Sequence, residues 1–342
     1  MKRVLILTRD LPPGRVGGVA SWVDDVARTL VTHGLDVTVL VERRNLASAT
    51  DRPYRVQGVA GRSWQRWQGT WMGAAAWPAR EDGTVVLGAT WRLVTGVARV
   101  APKAVILAGA HGSDLTRIGA DRDRFRKLAR RVQLVAVSDF LAGHARALGA
   151  PAAHVHKAPW PLSSAVEQVR GEHLVVVARL VPGKGLYDAM VLAQRLERRL
   201  VVVGEGPEQA RAAAWARREG VAVDWRGAVP RKSARAVLGS AAAVLLLSEP
   251  GSMEGLGLTA LEAAAAGVPA IGRDVGGVRE AVGPGVLVPA DATVATMDLT
   301  SVRHLLADPE AGPRARAHLW AHHGPAAFLE RFEAIVAEAR RS

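Results

Sequence analysis

The chain contains no cysteine in 342 residues, which excludes disulfides and thiolate metal sites and fits a reducing compartment. Phe (4) and Tyr (2) are scarce, and no basic run is interleaved with aromatics. With no helix-turn-helix or finger spacing either, nucleic acid is not an expected partner. Apolar runs stop well short of the ~18 residues of a membrane span. The apolar part of the opening M-K-R-V-L-I-L-T is too short for a signal peptide and reads as a first buried strand. Together these absences predict a cytoplasmic protein, with any membrane contact a peripheral one at the inner surface.

What is present is ordinary in bulk, with hydrophobic residues at 49% and charged residues at 23%, the composition of a globular chain. The length is about twice that of a usual domain, so two domains are expected. Lys and Arg number 45 against 32 Asp and Glu, a net +13. Such a field attracts phosphates, nucleotides or anionic head groups without choosing among them.

Short β-branched runs alternate with amphipathic ones, the signature of βαβ units and a parallel sheet. Strands are predicted at 4–7, 37–41, 84–87, 104–108 and 134–137, with helices over 20–33 and 122–130. The pattern restarts with strands at 173–178, 200–204, 221–225, 243–247, 268–271 and 286–288, and helices near 185–198, 207–219, 233–240 and 258–266. Between the halves, A-P-W-P-L-S-S at 158–164 has the composition of a linker. The expectation is α/β throughout: a doubly wound domain over 1–160, a second over 161–325, and a closing helix in 326–342 that packs back toward the first.

Four stretches could carry chemistry. In S-M-E-G-L-G-L-T-A-L-E-A-A-A-A-G (252–267), Glu254 and Glu262 stand eight residues apart. Gly255 and Gly257 argue against one continuous helix, so Glu254 to Gly257 reads as a loop and the helix begins near Leu258. Its N-terminus would seat an anion. Glu262, in the second turn, would accept hydrogen bonds from a vicinal diol, or it is a solvated helix residue. A-R-L-V-P-G-K-G at 178–185 lies between a strand and a helix; with the Walker spacing missing, Arg179 and Lys184 read by themselves as two solvated cations beside a turn, or they meet on one diphosphate. P-P-G-R-V-G-G-V-A at 12–20 is a glycine loop without the dinucleotide fingerprint. A-G-A-H-G-S-D at 108–114 delivers His111 to the end of a strand.

Arg179, Lys184, Glu254 and Glu262, with V-V-G-E-G-P at 202–207 and D-V-G-G-V-R-E-A-V at 274–282, resemble the retaining glycosyltransferases of family 4, which have the GT-B fold. The resemblance implies two Rossmann-like domains facing a cleft, a nucleoside diphosphate sugar as donor and no metal cofactor. It gives Arg179 and Lys184 to the diphosphate, Glu262 to the ribose, Glu254 to the donor sugar, and the amides of Gly255, Leu256 and Gly257 to sugar or phosphate. Gly17 and Gly18 match the family's N-terminal glycine loop, and His111 its cleft histidine. A hexose-type unit would pass to an acceptor hydroxyl on the face the leaving group vacates, a leaving phosphate oxygen taking the proton. Asp121 and Asp123 read as a solvated helix start and not a metal motif.

The acceptor is left open between a small natural product or metabolite and a lipid-linked glycan, and the oligomeric state is unspecified. Where the family commonly has P-N-G-V-D this chain has A-P-W-P-L. Trp64, Trp67, Trp71 and Trp77 stand beside Arg62, Arg66 and Arg80; the helical spacing of the first three reads foremost as core, then as a sugar-stacking face, then as a membrane-interface group. Two other classes stay in view: a non-catalytic nucleotide-sugar-binding protein and a GT-B sugar-nucleotide epimerase.

Overall fold

Runs such as V-L-I-L and L-V-V-V are apolar on both faces, as strands are when crossover helices cover both sides of a parallel sheet. The computed structural model describes residues 3–12, 17–42, 52–59, 83–101, 103–162 and 171–341. The chain divides into two compact units, Met1–Ser163 with His323–Ser342, and Ser164–His322. The tryptophan group at 64–77 lies outside the described residues.

The first unit comprises β1 (Arg3–Thr8), α1 (Gly18–Thr32), β2 (Asp36–Glu42), β3 (Arg55–Val59), β4 (Thr84–Gly88), β5 (Val105–Ala110), β6 (Gln133–Ala136) and β7 (Val155–Lys157). They form one parallel sheet in the order β3-β2-β1-β4-β5-β6-β7. The order reverses between β1 and β4, the point outside which such sheets bind ligands. β3 and β7 were not among the expected strands. β3 is an edge strand of R-V-Q-G-V with alternating exposure, and β7 is only V-H-K. Neither offers the apolar run by which a central strand is recognised. His156 in β7 is buried and pairs through Nε2 with Gln133 Oε1 at 2.7 Å.

The second unit comprises β8 (Leu174–Val177), α2 (Leu186–Arg195), β9 (Leu200–Val203), β10 (Val223–Gly227), α3 (Arg231–Gly239), β11 (Ala243–Leu246), α4 (Leu258–Ala265), β12 (Ala270–Arg273) and β13 (Val286–Val288), among other helices. Its strands are parallel in the order β10-β9-β8-β11-β12-β13, with the reversal between β8 and β11. All six expected strands are present. α3 begins at Arg231, two residues before the expected 233, directly after Pro230 at φ −56°, a value already suited to helix entry.

The chain returns to the first unit in α5 (Pro325–Arg341), whose Phe328, Phe332, Ile335 and Val336 are buried. The 158–162 stretch, linker-like in composition, is instead anchored inside this unit. Trp160 is 3% exposed. Its Nε1 donates to buried Asp25 Oδ2 at 2.9 Å, its amide donates to His323 Nδ1 at 3.1 Å, and its carbonyl accepts from Gly324 N at 2.7 Å. A buried bond to a carboxylate contributes about 1.5–3 kcal/mol. Trp160→Phe is therefore expected to lower the stability of the first unit by about 2 kcal/mol, read from chemical denaturation; an unchanged midpoint would contradict the anchoring.

Candidate functional site

Four loops at the carboxyl edge of the second sheet are stacked backbone to backbone. After β8, the segment Ala178–Gly185 is tied to the turn after β9: Leu180 N donates to Glu205 O at 2.9 Å, and Glu208 N donates to Leu180 O at 3.0 Å. On its other side Glu249 N donates to Gly183 O at 2.9 Å, and Gly185, at φ +67°, lies so close to the end of β11 that an added Cβ would stand 1.7 Å from Leu247 O. The loop after β12 closes on the next in the same way. Cβ atoms at Gly276 and Gly277 would meet Glu254 O at 2.1 Å and Gly255 O at 2.2 Å, and Gly277 N donates to Glu254 O at 2.9 Å. Glycine is thus what lets the loop carrying Glu254 sit at this edge.

That loop presents two of the expected residues together. Lys184 Nζ lies 2.5 Å from Glu254 Oε2, and Ser248 Oγ donates to the same oxygen at 3.2 Å. Both partners are partly buried, with side-chain exposures of 29% for Lys184 and 22% for Glu254. Met253, just before, is held at φ +53°, a left-handed conformation that a non-glycine residue adopts only when its surroundings enforce it. Arg179 is exposed, and its side chain has no hydrogen bond or ion pair among the described residues.

α4 begins at Leu258 after Gly257 at φ +94°, so Glu254 and Glu262 are split between loop and helix as the glycines predict. Its first turn is pinned to β8 by Thr259 Oγ1 donating to Val177 O at 3.2 Å, and its leading amides lack intrahelical acceptors. Leu256 is buried. Glu262 is not a solvated helix residue: it is 8% exposed and bound by two guanidiniums, Arg231 Nε at 2.7 Å and Arg235 Nε at 3.1 Å. Neither arginine was singled out in the sequence.

In the first unit, Gly17 and Gly18 open α1, both exposed, and an added Cβ at either would meet nothing within 4 Å. The fold's own packing does not require glycine there. His111 follows β5 and lies edge-on to Trp22 at 4.6 Å between ring centroids. Burial pushes its imidazole down to about 4, against the opposing effect of the Ala89 carbonyl. Asp114 Oδ1 accepts from His111 N at 3.1 Å and Gly112 N at 2.9 Å, fixing the turn, and burial raises its carboxyl above the ordinary range. Trp22 Nε1, His111 Nε2 and Asp114 Oδ2 are all buried without a partner among the described residues. Buried polar atoms are seldom left so, which keeps His111 a candidate for ligand contact.

His111 is therefore expected to stay neutral at pH 7 and to titrate near pH 4 in imidazole NMR spectra. The folded value lies below the unfolded ~6.5, so the native state binds fewer protons between the two. The His111 contribution to stability is complete above ~6.5 and is lost as pH falls toward 4, while Asp114 acts in the opposite sense. A titration near 6.5 would contradict the burial.

Of the acidic pair, Asp123 is solvated as expected, its side chain 84% exposed, whereas Asp121 Oδ2 accepts from Arg92 Nη2 at 3.1 Å and Nε at 3.2 Å. Among the described residues no group of three His, Asp or Glu could hold a metal ion, and no helix is long and apolar enough to cross a membrane.

Residues 165–311 match the family Glycosyl transferases group 1. Over 173 residues the chain is 35% identical to glycogen synthase of Mycobacterium tuberculosis, covering 48% of this chain and 41% of the synthase. The chain thus matches less than half the length of that relative. It is 29% identical over 333 residues to the GDP-mannose-dependent alpha-(1-6)-phosphatidylinositol monomannoside mannosyltransferase of Mycobacterium tuberculosis, covering 82% of this chain and 83% of the relative. Among solved structures, Anabaena Alr3699/HepE in complex with UDP-glucose superposes with a TM-score of 0.76 at 16% identity, over 98% of this chain and 100% of that one. The chain accordingly has the GT-B fold, and its residues 165–311 are similar to the glycosyl transferases group 1 family.

Proposed function

We propose that the protein is a retaining glycosyltransferase that moves a hexose-type sugar from a nucleoside diphosphate sugar to an acceptor hydroxyl without a metal. The observation that carries this reading is the Lys184–Glu254 pair set beside the start of α4 at the edge where β8 and β11 part. In this reading Lys184, exposed Arg179 and the leading amides of α4 receive the diphosphate. Glu254 positions the donor sugar, and Glu262 accepts from the ribose hydroxyls. Departure of the nucleotide builds negative charge, and cations and amides fixed in advance stabilise that charge selectively.

The leaving phosphate oxygen takes the acceptor proton in this scheme, so Glu254 is a positioning residue and not a nucleophile. Neutral His111 would hydrogen-bond a ligand through Nε2, which has no partner among the described residues, and Gly17 and Gly18 would let a ligand approach the backbone closely. The names of the relatives support a nucleotide-sugar donor. The relative matching over most of the chain, named for a phosphatidylinositol monomannoside acceptor, favours a lipid-linked acceptor over a small metabolite.

Incubation with a panel of nucleotide sugars is expected to show slow hydrolysis of one of them, unaffected by excess EDTA, with Glu262→Ala weakening nucleotide binding. NMR of the glycoside formed on an added acceptor reads the anomer. A panel without binding or hydrolysis would refute transferase activity, inhibition by EDTA would refute metal independence, and an inverted product would refute retention. Sedimentation with anionic vesicles at low and high salt tests the surface contact.

A further inference from the structure

Glu262, 8% exposed, needs donors at that depth. Arg231 and Arg235, one turn apart on α3 and so on one face, supply them. Their side chains are 19% and 14% exposed, so they are held cations and not mobile surface ones. Both Nε bonds fall on Oε1. Oε2 accepts no hydrogen bond from the described residues. Two bonds converging on one oxygen fix the rotation of the carboxylate.

We infer that Arg231 and Arg235 are positioning residues that lock Glu262 through Oε1 and leave Oε2 to accept from the vicinal hydroxyls of the donor nucleoside. This rests on the reading of Glu262 given above. An unlocked carboxylate would rotate between orientations, and alone it would repel a neighbouring diphosphate. Held on Oε1 by two guanidiniums, the carboxylate keeps one orientation toward the ribose. The pair thereby sets the preference for ribonucleotide over deoxynucleotide donors.

The test uses the intact protein and whichever of UDP, GDP and ADP binds most tightly, compared with its 2′-deoxy and 3′-deoxy analogues and with inorganic pyrophosphate. A charge-assisted hydrogen bond to each hydroxyl gives the native protein a preference of about tenfold or more. Arg231→Gln and Arg235→Gln are expected to reduce that preference to about threefold or less, while pyrophosphate affinity changes by no more than about threefold. Arg231→Lys and Arg235→Lys, which keep the charge and lose the planar fork, should fall between. Variants that bind pyrophosphate and retain the full preference overturn the proposal, as does loss of pyrophosphate binding in all four, which would make the pair a prop of the fold. If Glu262→Ala alone abolishes the preference, only the positioning role falls; if it too leaves the preference intact, the ribose reading of Glu262 falls with it.

Discussion

Lys184→Met is expected to lower turnover about 10²–10³-fold while weakening binding of the intact donor by only about tenfold, because removal of one fixed donor to developing charge costs about 2.7–4 kcal/mol in the transition state. The intact nucleotide sugar carries less charge on its bridging phosphate than the departing diphosphate, so the ammonium is worth more as the bond breaks. The same change removes one of two donors from Glu254 Oε2, leaving Ser248 Oγ at 3.2 Å. Lys184→Met combined with Glu254→Gln separates the two effects. If the loss belongs to the leaving group, the double variant stays as slow as Lys184→Met. If it recovers, the stranded carboxylate was the cause and the leaving-group role is refuted. Equal losses in turnover and in donor affinity would be a second refutation, reducing Lys184 to a ground-state contact.

Gly185→Ala is expected to destabilise the second unit by about 4 kcal/mol or more, whereas Gly220→Ala costs only about 1–2 kcal/mol. Their backbones are nearly alike, at φ +67° and φ +66°. Their surroundings differ: the new Cβ would stand 1.7 Å from Leu247 O at Gly185, and at Gly220 would meet nothing within 4 Å. The first figure contains a left-handed penalty and a collision with rigid backbone, and the second contains the penalty alone. Urea unfolding of both variants reads the difference directly. Similar losses would mean that the loop after β8 yields to the collision, and that its stacking on β11 is not what sets its shape.

The sequence made the periodic parts of this molecule legible. Every strand of the second unit, the loop-to-helix break at Leu258 and the apolar face of α5 follow from spacing and from glycine, because these depend on residues within a few positions of one another. Long-range partners left no such trace. Arg231 and Arg235 reach Glu262 across 31 and 27 residues, and starting α3 two residues late removed Arg231 from the helix altogether. Trp160 meets Asp25 across 135 residues, so a tryptophan between two prolines reads as linker until its partner is known. Asp114 and Trp22 were visible as letters, but that their buried polar atoms near His111 lack partners among the described residues shows only in the folded chain. β3 and β7 were missed for a different reason, since an edge strand needs little apolar character to pair on one side.

The return of α5 to the first unit fixes an order of events during synthesis. Residues 164–322 form one uninterrupted unit, so it can close as soon as it has emerged from the ribosome. The first unit cannot, because Phe328, Phe332, Ile335 and Val336 of its core are translated only after the whole of the second. At about 5–20 residues per second that is a wait of about 10–30 s, during which the face that α5 will cover stays bare. The unit made first is therefore the one finished last, and throughout that interval it depends on whatever shields apolar surface in the cell.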